Sequence, residues 1–297
     1  MKILYIGVHT PEIWRSEIWI ANAFKDCGHE VIKYDYKSKR KGFKTWKKIG
    51  MELSNLEKST QPDIIFLQRG KKMSPKTFNL LKAPIFFWST EPIKLKSDVD
   101  KLLHSNIFKW VFVHSYSCME QVKIKFPHLI IKSSVIHNAC PKSLINKDPI
   151  KTKFAIFNRN LSNRRKNWLK PSEGEVEIIN GKFGEEYYND LRNSAISVNI
   201  HFSDKNIDDF ETGIFEAMAN GCAIISEKLN SKTLEDLDLD DVIYQVEKPD
   251  ALYNALREFK ANSKLLKKYQ TKSQQSIENH TWHARVNSFT KKFNEFI

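Results

Sequence analysis

The chain has 297 residues, with 48 Lys and Arg against 35 Asp and Glu, a formal charge of +13 at pH 7. Its 41% hydrophobic content, including 19 Phe and 7 Trp, excludes general disorder, and no apolar run approaches the ~18 residues of a membrane span. Cys27, Cys118, Cys140 and Cys222 are too scattered for a metal site or a disulfide framework, and a short apolar start without a small-residue cleavage site makes a cytoplasmic protein the default expectation.

In chain order, residues 2–7 form a short apolar run closed by Gly7. Ile20, Ala23, Phe24 and Cys27 then follow at helical spacing, Gly28 sits where a helix stop belongs, and residues 29–34 resume a strand pattern. The opening is therefore strand, helix, strand. Further strand-length apolar runs lie at 63–67, 84–88, 110–113 and 134–136, mostly with helical segments between them. Near-continuous apolar strands fit a parallel sheet covered on both faces. After a polar stretch at 141–153 the pattern restarts at 154–157, with strands expected at 176–179, 196–200, 222–226 and 242–246, helices near 185–193 and 213–219, and helical material from 250 to 297. The fold class is α/β, with two doubly wound domains of about equal size. Such folds bind ligands at the carboxyl ends of their strands, here the cleft expected between the domains.

One segment shifts sharply in composition. Residues 37–48, KSKRKGFKTWKK, carry seven basic residues and no acid, with Phe43 and Trp46 interleaved. A solvated helix face accounts for this run. So does an electrostatic footprint for nucleic acid, anionic lipid or a phosphorylated substrate, in which Lys39, Arg40, Lys44 and Lys47 meet phosphates and Trp46 adds a stacking surface.

The most informative stretch is residues 208–226, DDFETGIFEAMANGCAIIS. A loop carries Asp208, Gly213 opens a helix, and Glu216 lies on that helix among Ile214, Phe215, Ala217 and Met218. Backbone amides at a helix start attract an anion, and a carboxylate one turn in can accept from ribose hydroxyls. A glutamate among so many apolar neighbours is costly without a partner, which favours function. The stretch resembles the nucleotide-sugar site of GT-B glycosyltransferases, especially the spore-maturation-type (group 1) family, with its acid, Gly-Phe and Phe-Glu-Ala-hydrophobic-Ala-x-Gly pattern. Asp209 where glycine is common, and Gly213 where relatives often carry Arg or Pro, depart from that pattern.

The resemblance implies that Glu216 binds the ribose, that Asp208 faces the donor sugar or diphosphate, and that Gly213 and Ile214 present amides to the donor. It extends to residues 158–165, NRNLSNRR, where relatives place a basic residue against the diphosphate. Arg159, Arg164, Arg165 and Lys166 are the candidates, and a guanidinium there holds phosphate oxygens in two-point geometry. Residues 179–184, with Gly181, resemble the turn beside the nucleobase, and HTWHAR at 280–285 resembles the start of the final helix. The implied organisation is an acceptor-side Rossmann-like domain at 1–145, a nucleotide-sugar domain at 146–280, and a last helix at 281–297 packing back toward the first domain.

Glycosyl transfer needs the attacking hydroxyl to lose its proton as it bonds. His9 and Glu17, after the first strand, are candidates for the base or an acceptor contact. Glu91, in the aromatic-Trp then acid-Pro run at 87–92, and His114 at another strand end are further candidates.

Asp238, Asp240 and Asp241 read as a turn between elements rather than an Asp-x-Asp motif holding a metal against a diphosphate, so a metal-independent enzyme is expected, with the nucleotide sugar as a substrate and no cofactor. The donor is expected to be an NDP-sugar, a UDP-sugar first, giving a hexosyl or pentosyl group. The acceptor is expected to be polyanionic: an envelope glycan or anionic lipid carrier, with peripheral association at the inner membrane face, or hydroxymethylated pyrimidines in DNA. No stable protein partner is inferable. A non-catalytic nucleic-acid-binding protein is the alternative of another class, and a nicotinamide dehydrogenase falls behind because no Gly-x-Gly-x-x-Gly follows any strand.

Overall fold

The computed structural model describes residues 1–10, 15–41, 45–90, 93, 99–202 and 210–297. It separates into unit 1, residues 1–137 with 285–297, and unit 2, residues 138–284. The units meet ahead of the polar stretch because Asn138 and Cys140 already hold to unit 2: the Asn138 amide donates to the Phe210 carbonyl at 3.2 Å, and Cys140 bridges Thr281.

Unit 1 contains β1 (Lys2–Gly7), α1 (Ser16–Asp26), β2 (Glu30–Asp35), α2 (Tyr36–Lys41), α3 (Trp46–Thr60), β3 (Ile64–Gln68), β4 (Ile85–Ser89), α4 (Asp100–Leu103), β5 (Trp110–Val113), α5 (Tyr116–Lys125) and β6 (Ser133–Val135). Its strands form one parallel sheet in the order β2-β1-β3-β4-β5-β6. β3 and β4 are buried throughout, as strands covered on both faces must be. Gly28 adopts φ +85° just past α1, a left-handed stop that favours glycine.

Unit 2 contains β7 (Lys153–Asn158), α6 (Asn163–Leu169), β8 (Glu177–Ile179), α7 (Glu185–Asn193), β9 (Ser194–Asn199), α8 (Thr212–Ala219), β10 (Ala223–Glu227), α9 (Ser231–Leu237), β11 (Ile243–Val246), α10 (Pro249–Ala261) and α11 (Ser263–Ser276). Its parallel sheet runs β8-β7-β9-β10-β11. In both sheets the order reverses beside the first strand, at β1/β3 and at β7/β9. Diverging connections leave a crevice at the carboxyl ends there, which is where a ligand fits.

The last helix, α12 (Trp282–Phe293), belongs to unit 1 from Arg285 onward. Its Phe289 and Phe293 are fully buried. Phe289 lies 5.0 Å from Phe66 and 4.9 Å from Phe112, and Phe293 lies 4.6 Å from Phe86. The phenylalanine-rich composition thus builds one face of the unit 1 sheet, each buried ring stabilising it by roughly 1.5–3 kcal/mol.

Candidate active site

In unit 2, Arg159 follows β7 directly. Its Nη1 donates to the Asn158 carbonyl at 2.8 Å and to the Tyr187 hydroxyl at 2.9 Å, and its Nε lies 2.9 Å from Glu211 Oε2. The guanidinium occupies the space where Gly213, in the first turn of α8, lacks a side chain: a Cβ there would lie 2.0 Å from Arg159 Nη2. One helical turn from Glu211 and Thr212, Glu216 accepts from the Tyr188 hydroxyl at 3.3 Å. Burial raises its carboxyl above the usual range, against the opposing pull of Arg159 and the Tyr187 and Tyr188 hydroxyls. Burial and the nearby carboxylate likewise hold both tyrosines protonated. Arg159, although burial opposes its charge, is kept cationic by Tyr187, Glu211 and Glu216. A carboxyl able to accept hydroxyl hydrogens is therefore held beside a fixed guanidinium at the β7/β9 reversal.

The arginines expected to clamp phosphate are engaged differently. Arg165 is 2% exposed, and it donates to the Ile200 carbonyl at 2.8 Å, the Asn160 carbonyl at 2.9 Å and Glu211 Oε1 at 3.1 Å. Arg164 donates to the His201 carbonyl at 3.0 Å and grips both oxygens of Glu227, at 2.8 and 2.5 Å. These contacts tie α6 to the ends of β9 and β10 and commit both side chains to internal partners. Lys166 is exposed on α6. The Ile214 amide, expected to face the donor, donates instead to the Glu211 carbonyl at 3.0 Å, and its side chain lies in the core. Gly181 forms an exposed turn with φ +76° after β8. Asp208 lies outside the described residues.

In unit 1, Gly7 ends β1 and brings two candidates together: a Cβ there would lie 3.2 Å from Glu17 Cγ and 3.3 Å from His9 Nε2. His9 Nε2 is 3.0 Å from the Tyr5 carbonyl, which only accepts, so Nε2 carries the proton and Nδ1 the lone pair. Nδ1 is buried without a hydrogen-bond partner among the described residues. Burial lowers the imidazole below its ordinary value, so it is neutral at pH 7. Glu17 is fully buried, with Oε1 2.9 Å from Arg69 Nε and Oε2 accepting from Ser16 at 3.4 Å. That engagement makes it a counter-ion rather than an open base. Gln68 joins the cluster, donating to Ser16 Oγ at 2.8 Å and accepting from the Tyr5 hydroxyl.

His114 stands apart, since β3 and β4 separate its strand, β5, from β1. Its Nδ1 bonds the Ser89 carbonyl at 3.2 Å and lies 3.7 Å from Cys118 Sγ. Burial alone would raise that thiol, but His114, Ser115 and the backbone at Ile93 carry it below its ordinary value. Glu91 lies outside the described residues. Of the basic segment, Lys39, Arg40 and Lys47 are exposed, while Lys44 and Phe43 fall outside the described residues. Trp46 is not the open stacking surface expected: it packs against the unit 1 core and carries the Arg40 guanidinium 5.2 Å from its ring.

Residues 148–291 match the family described as glycosyl transferase-like. The whole chain superposes on a glycosyltransferase from Rickettsia africae ESF-5 with a TM-score of 0.69, at 14% identity, covering 99% of this chain and 98% of that one. The chain has the GT-B fold, and its residues 148–291 match the glycosyl transferase-like family. Anabaena Alr3699/HepE in complex with UDP-glucose is similar over 100% of both chains, with a TM-score of 0.65 and 12% identity. T4 phage BGT in complex with UDP and Mn2+ is similar over 99% of both chains, at 0.62 and 14%. No match is found among curated proteins.

Three residues of this candidate site went unselected in the sequence. Glu211 joins Arg159 to Arg165, and Tyr187 and Tyr188 bracket Glu216. The adjacent tyrosines in α7 were the available signal, because two phenols inside a charged helix suggest a hydrogen-bonding duty. Among the described residues no three His, Cys, Asp or Glu side chains gather as a metal site would require, and no helix is long and apolar enough to cross a membrane.

Proposed function

We propose that the enzyme transfers a hexosyl or pentosyl group from a UDP-sugar to a hydroxyl of a polyanionic acceptor. The observation that carries this reading is Glu216, held ionisable beside Arg159 by two tyrosine hydroxyls at the strand-order reversal of unit 2. Its carboxylate accepts from the ribose hydroxyls, and Arg159 supplies the positive field that the leaving diphosphate needs as charge builds on it. With positive charge supplied this way, the reaction runs without a resident metal. His9, neutral and with its lone pair on Nδ1, is the base that takes the acceptor proton.

The similar structures support the donor: HepE is seen with UDP-glucose and with UDP and glucose. On the acceptor side they divide. WaaB is a lipopolysaccharide outer core galactosyltransferase and WaaG is involved in lipopolysaccharide biosynthesis, whereas a similar β-glucosyltransferase is a DNA modifying enzyme. An envelope glycan or lipid carrier, met at the inner membrane face, follows from the first pair. A DNA acceptor is favoured by the exposed Lys39, Arg40 and Lys47. The test is a donor and acceptor screen with mass detection, including hydroxymethylated DNA. Release of UDP with a product heavier by one sugar supports the proposal, and the absence of transfer or hydrolysis with any UDP-sugar refutes it.

A further inference from the structure

The turn after β3 contains a second built site. Arg69 has φ +67° and Lys72 φ +60°, left-handed conformations that L side chains rarely adopt, with Gly70 at φ +61° between them. Gly70 is obligatory for a second reason, since a Cβ would lie 2.8 Å from Leu102 Cδ1. Arg69 is fixed by a carboxylate that has no other access to solvent, the fully buried Glu17, yet its own side chain keeps 30% exposure. Strained backbone persists where surrounding structure enforces it, and it concentrates at ligand sites. This turn leaves the sheet beside β1, at the strand-order reversal of unit 1, and its Arg69 pairs with the Glu17 that lies with His9 around Gly7. The Tyr36 hydroxyl bonds to the backbone of Lys71, so the start of α2 abuts the same turn.

From this placement we infer that Arg69, Lys71 and Lys72 bind a backbone phosphate of a nucleic-acid acceptor, with Glu17 as the positioning residue that aims Arg69. The inference rests on the glycosyl-transfer reading for its reaction but not for its binding.

Lys71 and Lys72 are exposed, as are Lys39, Arg40 and Lys47, so cations spread over the turn, α2 and the start of α3. A row of that kind fits phosphates repeating along a strand. A bilayer would also require apolar anchors. Among the described residues of the turn at 69–72, α2 and α3 the one exposed large apolar side chain is Met51, while Ile124, Ile130 and Ile131 lie on α5 and the turn before β6. Asp35 is spent within the face, accepting from the Lys37 and Ser38 amides at 2.9 and 3.0 Å.

The experiment is fluorescence anisotropy of the full chain with a labelled 20-base-pair duplex across a salt series. Phosphatidylglycerol vesicles form a parallel arm, and UDP calorimetry is run on every variant. Binding to the duplex is expected to weaken with salt. Arg69→Gln and the pair Lys71→Gln/Lys72→Gln should flatten the log-log slope by about 0.9 for each contact removed. Lys58→Gln and Lys82→Gln, near the other end of the strands, should leave it unchanged. Glu17→Gln should lower the slope as Arg69→Gln does and add nothing in combination with it, an outcome that general destabilisation would not give. Arg69→Gln keeps the test decisive if Glu17→Gln does not fold. A wild-type slope in Arg69→Gln and in the lysine pair overturns the inference, and so does binding of vesicles but not the duplex. Duplex binding with these slopes but no UDP binding would leave the phosphate site standing and remove the glycosyl-transfer reading.

Discussion

Gly213→Ala is the most discriminating single perturbation of the proposed donor site. Alanine in the first turn of α8 is ordinarily favourable, by up to about 1 kcal/mol over glycine. Here the added methyl would fall 2.0 Å from Arg159 Nη2 and 2.3 Å from its Cζ, so the guanidinium must swing away. It then gives up at least one charge-assisted bond among those to Glu211 and Tyr187, each 2.9 Å. The expected loss is ~1.5–3 kcal/mol, felt in both the stability of unit 2 and affinity for UDP. In an Arg159→Ala background nothing occupies that space, so the same Gly213→Ala change becomes neutral or stabilising by up to about 1 kcal/mol. Thermal denaturation and UDP calorimetry on the four proteins of this cycle measure the coupling. Equal destabilisation by Gly213→Ala with and without Arg159 would refute the packing relation on which the site is built.

Three further outcomes follow from the same contacts. His9→Gln should lower kcat by about a hundredfold or more with UDP affinity retained; because burial depresses the folded pKa, the wild-type acidic limb should lie below 6.5, and the stability that neutral His9 contributes, present above 6.5, is lost as pH falls through that lower value. A pH profile with its limb above 6.5, or a normal rate in the variant, would exclude it as the base. Arg165→Ala should destabilise unit 2 by about 3–5 kcal/mol, because it takes the donor from the buried Ile200 carbonyl, the Asn160 carbonyl and Glu211 Oε1, and an unchanged melting temperature would return Arg165 to a role in ligand contact alone. Phe293→Ala should cost about 3–5 kcal/mol of unit 1 stability, measured by urea unfolding; a loss under 1 kcal/mol would mean that α12 is dispensable to that sheet.

The strands were legible because parallel strands buried on both faces are continuous apolar runs, and each observed strand overlaps its sequence-derived range. Glu216 was legible because a glutamate amid apolar helix neighbours demands a partner. The arginines were not. A charge run such as Asn163–Arg165 gives no direction for its side chains, and their acceptors at Ile200, His201, Glu211 and Glu227 come from elements far along the chain. The ion pair of the candidate Glu17 was hidden for the same reason, since its counter-ion Arg69 follows a different strand. Gly213 was selected as a donor contact, whereas the structure shows the approach of Arg159 to it, which only the tertiary structure brings there.

The central claim, that the nucleotide of the donor is held by Glu216, is tested most directly by calorimetric titration of UDP into wild-type and Glu216→Gln protein across pH. Burial raises the Glu216 pKa, so wild-type affinity should decline with acidification at pH values above the ordinary carboxylate value of 4.5. The amide variant, folded but presenting a donor where ribose hydroxyls need an acceptor, should show no measurable binding at any pH. UDP affinity in Glu216→Gln equal to that of the wild type would contradict the claim and move the nucleotide elsewhere.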